Sequence, residues 1–148
     1  MNGFVGAQSI DAGQRARDGH ARKTLVAVIE DEALVLAGYS MLFESWGYQV
    51  VAGGSSRELL AVMAKARAVA PDIIVADFRL KDGEDGIHAV QTLEASFHCR
   101  IPAILITGDT GADKLRAASA SGLPLLHKPV KGAQLRQLLE ACLDRGPA

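Results

Sequence analysis

Cysteine is scarce: Cys99 and Cys142 lie 43 residues apart, with no CxxC pair and no Cys/His cluster, so neither a zinc-site spacing nor a disulfide scaffold is present. A reducing, cytoplasmic setting is the natural expectation. Basic excess is lacking too. Sixteen Lys and Arg against seventeen Asp and Glu leave a formal charge of −1, and without a basic stripe the footprint of a nucleic-acid binder is missing. The longest apolar runs, such as Ile73 to Ala76 and Ala103 to Ile106, fall far short of the roughly 20 residues of a membrane helix. The N-terminus has no signal-peptide apolar core, and neither GxGxxG nor GxxxxGK(S/T) occurs, which counts against a nucleotide-binding enzyme. No internal repeat is visible. What remains is a chain of 148 residues, 49% hydrophobic and 22% charged, long enough to bury one core without staples.

Charge and pattern divide this chain at Lys23. Residues 1–23 hold four basic and two acidic side chains, few large apolar residues and no sustained periodicity, and read as a disordered tail or linker. From Thr24 to residue 148 short apolar runs alternate with amphipathic segments. Strands are predicted at 25–29, 48–52, 73–76, 103–106 and 123–126. Helices are predicted at 32–46, from about 56 to 69, and at 86–96, 113–121 and 130–143. Gly47 and Gly122 stand where left-handed helix ends belong, and Ser55 and Glu58 have capping-box spacing. Five strand–helix pairs with continuous rather than alternating apolar strands imply an α/β fold, a parallel sheet covered by helices on both faces. Ligands of such sheets bind beyond the carboxyl ends of the strands, near a topological switch point.

The residues at those ends form a consistent set. Strand one ends in Glu30-Asp31-Glu32, strand three in Asp77, strand four in Thr107-Gly108-Asp109 and strand five in Lys128-Pro129. Eight of the fifteen acidic residues after Lys23 (Glu30, Asp31, Glu32, Asp77, Asp82, Glu84, Asp85 and Asp109) fall in loops at this one edge. Two carboxylates about 4 Å apart repel by roughly 4 kcal/mol at an effective dielectric near 20, a cost that a divalent cation offsets. Hard oxygen ligands in this number suit Mg²⁺. Lysine and threonine opposite them are what phosphoryl oxygens require, and an Asp carboxylate can itself become an aspartyl phosphate.

This constellation resembles the receiver domain of two-component response regulators, and the resemblance covers nearly all of residues 24–148. The family's acidic pair falls on Glu30 and Asp31, its phosphoacceptor on Asp77, its hydroxyl residue on Thr107 and its lysine on Lys128. Separations of 46, 30 and 21 residues from Asp31 through Asp77 and Thr107 to Lys128 fit the family. Each motif alone is weak, but four in order at successive strand ends are specific. The resemblance implies a doubly wound, flavodoxin-like five-stranded sheet of order 2-1-3-4-5. It also implies Mg²⁺ held by Glu30, Asp31, Asp77 and the Arg79 backbone carbonyl, and phosphoryl transfer to Asp77 from a histidine kinase or a histidine phosphotransfer protein. Thr107 and Lys128 would then hold phosphoryl oxygens, and the output would be a changed surface of helix four, strand five and helix five, read by a downstream protein. Pairing into homodimers through that surface is common in the family.

Three departures stand out. The acidic pair is Glu-Asp rather than Asp-Asp. The loop Leu80 to Gly86 lacks the family's usual proline and is one residue longer, which predicts a more mobile conformation. Leu125 stands where many receivers carry an aromatic switch residue, so output motion must use backbone or aliphatic repacking. Arg79 and Asp109 are expected to flank the pocket and to shield the acyl phosphate from water. On the first helix Val35, Tyr39, Leu42 and Trp46 form a core stripe, while Leu34 and Met41 face outward and are candidates for the kinase contact. His127 is expected to turn away from Lys128 by strand alternation, and Cys142 to be an inert core thiol.

The competing readings are a Mg²⁺-dependent phosphatase or phosphotransferase with an aspartyl-phosphate intermediate and a phosphorylation-independent pseudo-receiver. A haloacid-dehalogenase-type enzyme would place a second aspartate where Arg79 stands, and the intact Asp77, Thr107 and Lys128 count against a pseudo-receiver. One receiver domain uses all of residues 24–148, so no effector domain is expected within this chain, whether it stands alone or is cut from a hybrid kinase, whose receivers the tract Gly122 to Val130 resembles.

Overall fold

The structure, a computed structural model, describes residues 22–66, 69–108 and 111–146. The elements are β1 (Leu25–Ile29), α1 (Ala33–Ser45), β2 (Gln49–Gly53), α2 (Ser56–Ala66), β3 (Ile73–Asp77), a single 3₁₀ turn (Lys81–Gly83), α3 (Gly86–Phe97), β4 (Ala103–Thr107), α4 (Ala112–Ser121), β5 (Leu125–His127) and α5 (Gly132–Arg145). The five strands are parallel and ordered β2-β1-β3-β4-β5, as the resemblance implied. The tail assigned to residues 1–23 lies almost wholly outside the described residues. No helix among those described is long and apolar enough to cross a membrane.

The strands are apolar on both faces because both faces are covered. Leu25, Ala27 and Ile29 of β1 pack with Leu59 and Met63 of α2 and with Ala89, Val90 and Leu93 of α3. Val26 and Val28 turn the other way, onto Phe43 of α1 and Leu135, Leu139 and Cys142 of α5. The α1 stripe runs through Phe43, which is fully buried, with Leu36, Tyr39, Leu42 and Trp46 packed around it. Val35 is half-buried and lies beside this stripe rather than in it. Phe43 stacks on Tyr39 at 5.9 Å and meets Trp46 at 5.7 Å, and Arg136 of α5 lies over the Trp46 ring. α4 buries Ala118 fully and only Leu115 among its large apolar residues partly, whereas α1 surrounds Phe43 with several half-buried ones, so α4 is lightly anchored to the sheet.

Several ends differ from the sequence expectation. Strand β5 covers Leu125–His127 rather than 123–126. Pro124 has no N–H to donate, so it contributes only its carbonyl, which accepts from Leu105 N at 2.9 Å, and the ladder starts beyond it. The Ser55 hydroxyl caps α2 by accepting from Glu58 N at 3.1 Å, but the Glu58 carboxylate reaches back to Gly54 N, one residue before the capping-box position. Gly47 (φ +92°) ends α1 in the expected left-handed conformation.

Register sets the height of the strand ends. Ile29 pairs with Ala76, so Glu30 and Asp77 leave their strands at one level. Asp77 pairs with Ile106 and Thr107 with His127, which places Thr107 one step and Lys128 two steps further along. Directly beyond Asp77 the chain turns through Phe78 and returns at Gly86, whose N–H donates to Phe78 O at 2.8 Å. A Cβ on Gly86 would stand 2.6 Å from the Asp77 carbonyl oxygen and 3.0 Å from Leu105 Cδ2. Gly86→Ala is therefore expected to destabilise the fold by about 1–3 kcal/mol in urea denaturation. An unchanged midpoint would mean that the Asp77 turn has room to shift.

Candidate functional site

The two acidic residues after β1, the last residues of β3 and β4 and the residue after β5 meet at the carboxyl edge of the sheet. Carboxylate oxygens of Glu30, Asp31 and Asp77 lie within 4.8 Å of one another. Lys128 extends its Nζ to 3.3 Å from Asp77 Oδ1 and 3.8 Å from Glu30 Oε1. Thr107 is buried and joins Asp31, Asp77, Arg79, Gly108 and Lys128 in lining an open cleft of about 690 Å³. A larger hollow of about 1010 Å³ touches none of the sequence-predicted site residues. It lies between α3 and the ends of α4 and α5, with Arg100, Leu123 and Cys142 in its wall.

Local folding explains how each group is held. β1 is buried to its end and carries Glu30 into the interior, where its side chain is only 1% exposed. Glu30 Oε2 accepts from Glu32 N at 3.0 Å as α1 begins, while Glu30 Oε1 is buried with no hydrogen-bond partner among the described residues. The Lys128 N–H donates to Thr107 O at 2.8 Å, so β4 sets the height of the lysine, and the Lys128–Pro129 peptide is cis.

The electrostatics follow from three carboxylates facing one ammonium. Burial holds the Glu30 carboxyl above its ordinary value of 4.5; the Glu32 N–H opposes this, Asp77 adds to it and Lys128 opposes it. Asp77 is also raised above its ordinary 3.8, because burial outweighs the attraction of Lys128. Burial works against the Lys128 ammonium, but Asp77 and Glu30 prevail and hold it above 10.5. A buried carboxylate oxygen with no hydrogen bond, beside two further carboxylates and facing one ammonium, is a set of hard donors short of positive charge, and such a set fits Mg²⁺.

The structure brings Glu30, Asp31, Asp77, Thr107 and Lys128 together and places Arg79, with its side chain exposed, at the cleft wall. Asp109 lies outside the described residues, so its pairing with Arg79 is not described. Leu125 is half-buried against the core on the α2–α3 side. Leu34 and Met41 are exposed on α1 (88% and 71%). His127 is exposed and Cys142 buried, as expected.

Two of the loop acids do not join the cleft. Asp85 caps α3, accepting from His88 N at 2.8 Å, and Glu84 turns to Ser56. Tyr39, read from the sequence as core alone, also senses the site. Burial raises its phenol, Lys128 pulls it down, and Glu30 and Asp77 add to the rise.

The raised carboxylates give a pH dependence of definite sign. The folded state retains protons that the unfolded chain releases, so the contribution of these two groups to stability is full below the ordinary values of 3.8 and 4.5 and is lost as the pH rises through the higher folded values. In chelator-treated protein, Asp77→Asn is expected to raise the melting temperature at neutral pH and to flatten this decline. A lower melting temperature than wild type at neutral pH would contradict the charge imbalance.

Comparison with known proteins bears on the family and the fold. The family model for the response regulator receiver domain matches residues 26–140. Nodulation protein W of Bradyrhizobium diazoefficiens is 33% identical over 138 residues, covering 88% of this chain and 57% of that protein. The phyllosphere-induced regulator PhyR of Methylorubrum extorquens is 34% identical over 84 residues, covering 57% of this chain and 30% of that protein. The chain thus spans little more than half the length of the first relative and less than a third of the second. A crystal structure of a response regulator receiver domain protein from Clostridium thermocellum superposes with a TM-score of 0.69 at 23% identity, over 82% of this chain and 95% of that one, and so shares the fold. From the family match over most of its length and the strand order that accompanies it, this chain belongs to the response regulator receiver domains.

Proposed function

We propose that the chain is a phosphorylation-dependent switch in which Asp77 accepts a phosphoryl group from a phosphohistidine. The observation that carries this reading is the Asp77 carboxylate, 3.3 Å from the Lys128 ammonium and grouped with Glu30 and Asp31 in an open cleft. An Asp77 oxygen forms the new P–O bond as the P–N bond to the donor imidazole breaks, and the imidazole leaves with the bonding pair and takes up a proton. Glu30, Asp31, Asp77 and the Arg79 backbone carbonyl would hold Mg²⁺, which when bound neutralises charge on the transferring group. Lys128, already beside Asp77, moves its pairing to a phosphoryl oxygen, and Thr107 donates its hydroxyl to another. Arg79 at the cleft wall screens the acyl phosphate from water.

The change reaches partners through α4, β5 and α5. The light anchoring of α4 supports this route, since little packing has to be broken to move it. With Leu125 in place of an aromatic switch, the movement is an aliphatic repacking against the core on the α2–α3 side. Donors are a histidine kinase or a histidine phosphotransfer protein, docking on α1 where Leu34 and Met41 are exposed. The output passes to another protein, with self-pairing through the α4–β5–α5 face as one form of it, and involves no direct nucleic-acid contact.

Incubation with acetyl phosphate and Mg²⁺ is expected to give an acid-stable, base-labile adduct of one phosphoryl mass. Asp77→Asn should abolish it and Lys128→Ala should slow its formation by about 100-fold. Wild type that forms no adduct would overturn the phosphoacceptor reading. Leu34→Asp with Met41→Asp should slow transfer from any histidine kinase that phosphorylates the wild type, while leaving the acetyl phosphate reaction unchanged. Equal slowing of both reactions would remove α1 as the docking face.

A further inference from the structure

The segment from Phe78 to Gly86 closes into a hairpin of its own. Phe78 N donates to Ile106 O at 2.7 Å at its root, Gly86 N donates back to Phe78 O at 2.8 Å, and Arg79 and Asp85 form an antiparallel bridge. Nearer the tip Leu80 N donates to Glu84 O at 3.1 Å, and Gly83 takes the left-handed conformation (φ +79°) that lets the chain turn back. Phe78 and Leu80 anchor the base in the core. The tip is held from outside the hairpin, across 28 residues of sequence. Ser56 N donates to Glu84 Oε1 at 3.1 Å and Ser56 Oγ donates to Glu84 Oε2 at 2.5 Å, so both carboxylate oxygens are engaged. Ser56 is itself buried and opens α2, so the carboxylate satisfies a free helix N–H at the positive end of the helix dipole. The sequence expectation of a mobile loop rested on its extra residue and missing proline. The grip of Glu84 on Ser56 supplies the restraint that the proline would have given.

We propose that Glu84 is a positioning residue: by gripping Ser56 it fixes the hairpin that carries the Arg79 backbone carbonyl, and so sets the affinity of the carboxylate site for Mg²⁺. This rests on the reading of Glu30, Asp31, Asp77 and the Arg79 carbonyl as the Mg²⁺ ligands. Leu80 N donates to Glu84 O and Arg79 pairs with Asp85, so releasing Glu84 loosens the pairing that orients the Arg79 carbonyl, and a ligand that must be ordered on binding binds more weakly. The same contact ties the cation site to α2, an element that contributes no ligand to it.

The test is calorimetric titration of MgCl₂ into the full chain, paired with amide hydrogen exchange of the metal-free protein. Glu84→Ala and Ser56→Ala should each weaken Mg²⁺ binding by about tenfold. The double variant should be little worse than either single one, because both remove the same contact. Glu84→Gln keeps a carbonyl for Ser56 N and an amide for Ser56 Oγ, and should bind within about threefold of wild type. Leu80 and Gly86 amides should lose protection in Glu84→Ala while those of β1 and β3 keep theirs. Folded Glu84→Ala and Ser56→Ala variants with wild-type Mg²⁺ affinity would overturn this proposal alone. A wild type with no saturable Mg²⁺ binding would overturn the site reading and the proposal with it.

Discussion

Three carboxylates held against one ammonium at the carboxyl edge of the sheet are the constraint on which the rest of the structure turns. Glu30, Asp31 and Asp77 share a space less than 5 Å across, with Lys128 opposite. Like charges this close cost several kcal/mol at any dielectric appropriate to a half-buried site, and Glu30 Oε1 has no hydrogen bond to offset its desolvation. The fold tolerates this because it places the cost at one point, surrounded by a core apolar on both faces of the sheet. Locally unfavourable charge, held by favourable packing elsewhere, is a mark of a functional site.

Much of the remaining architecture serves to hold that point still. The β1–β3 and β3–β4–β5 registers bring four strand ends to nearly the same height. Gly86 lets α3 start against the Asp77 carbonyl with no room for a side chain. Glu84 and Asp85, which belong by composition to the acidic edge, are spent on the N-termini of α2 and α3, where a carboxylate is stabilising. The acidic edge is therefore two things, a cluster that lacks positive charge and a pair of helix caps. Against these fixed parts stands α4, which buries only Ala118 fully.

The strand order was legible only through the family resemblance, whereas the gathering of Glu30, Asp31, Asp77, Thr107 and Lys128 was legible because strands one, three, four and five are short, continuous apolar runs with polar residues at or just beyond their ends. Periodicity locates such runs, and the topology of a parallel sheet sends all of their ends to one side. Element boundaries were less legible where backbone chemistry decides them, as at β5, where Pro124 delays the ladder by withholding an N–H. The α1 stripe was read through Val35, Tyr39, Leu42 and Trp46, whereas the structure centres it on Phe43, because the stripe is broad and 100° per residue cannot separate a residue at its centre from one at its margin. The Ser56–Glu84 contact was invisible because it joins a helix start to a loop 28 residues away, with no periodic signal linking them. Tyr39 illustrates a different limit, since an aromatic on a core stripe can still feel the charges of the site.

If charge imbalance is what the site is built on, binding a cation must expel the protons that the raised carboxylates retain. The direct measurement is calorimetric titration of MgCl₂ into the full chain, just above the ordinary carboxylate range, in two buffers of different ionisation enthalpy. The account predicts saturable binding with proton release, and the release disappears as the pH is raised towards neutrality. Binding with no proton release at the lower pH, or no binding at all, would contradict it.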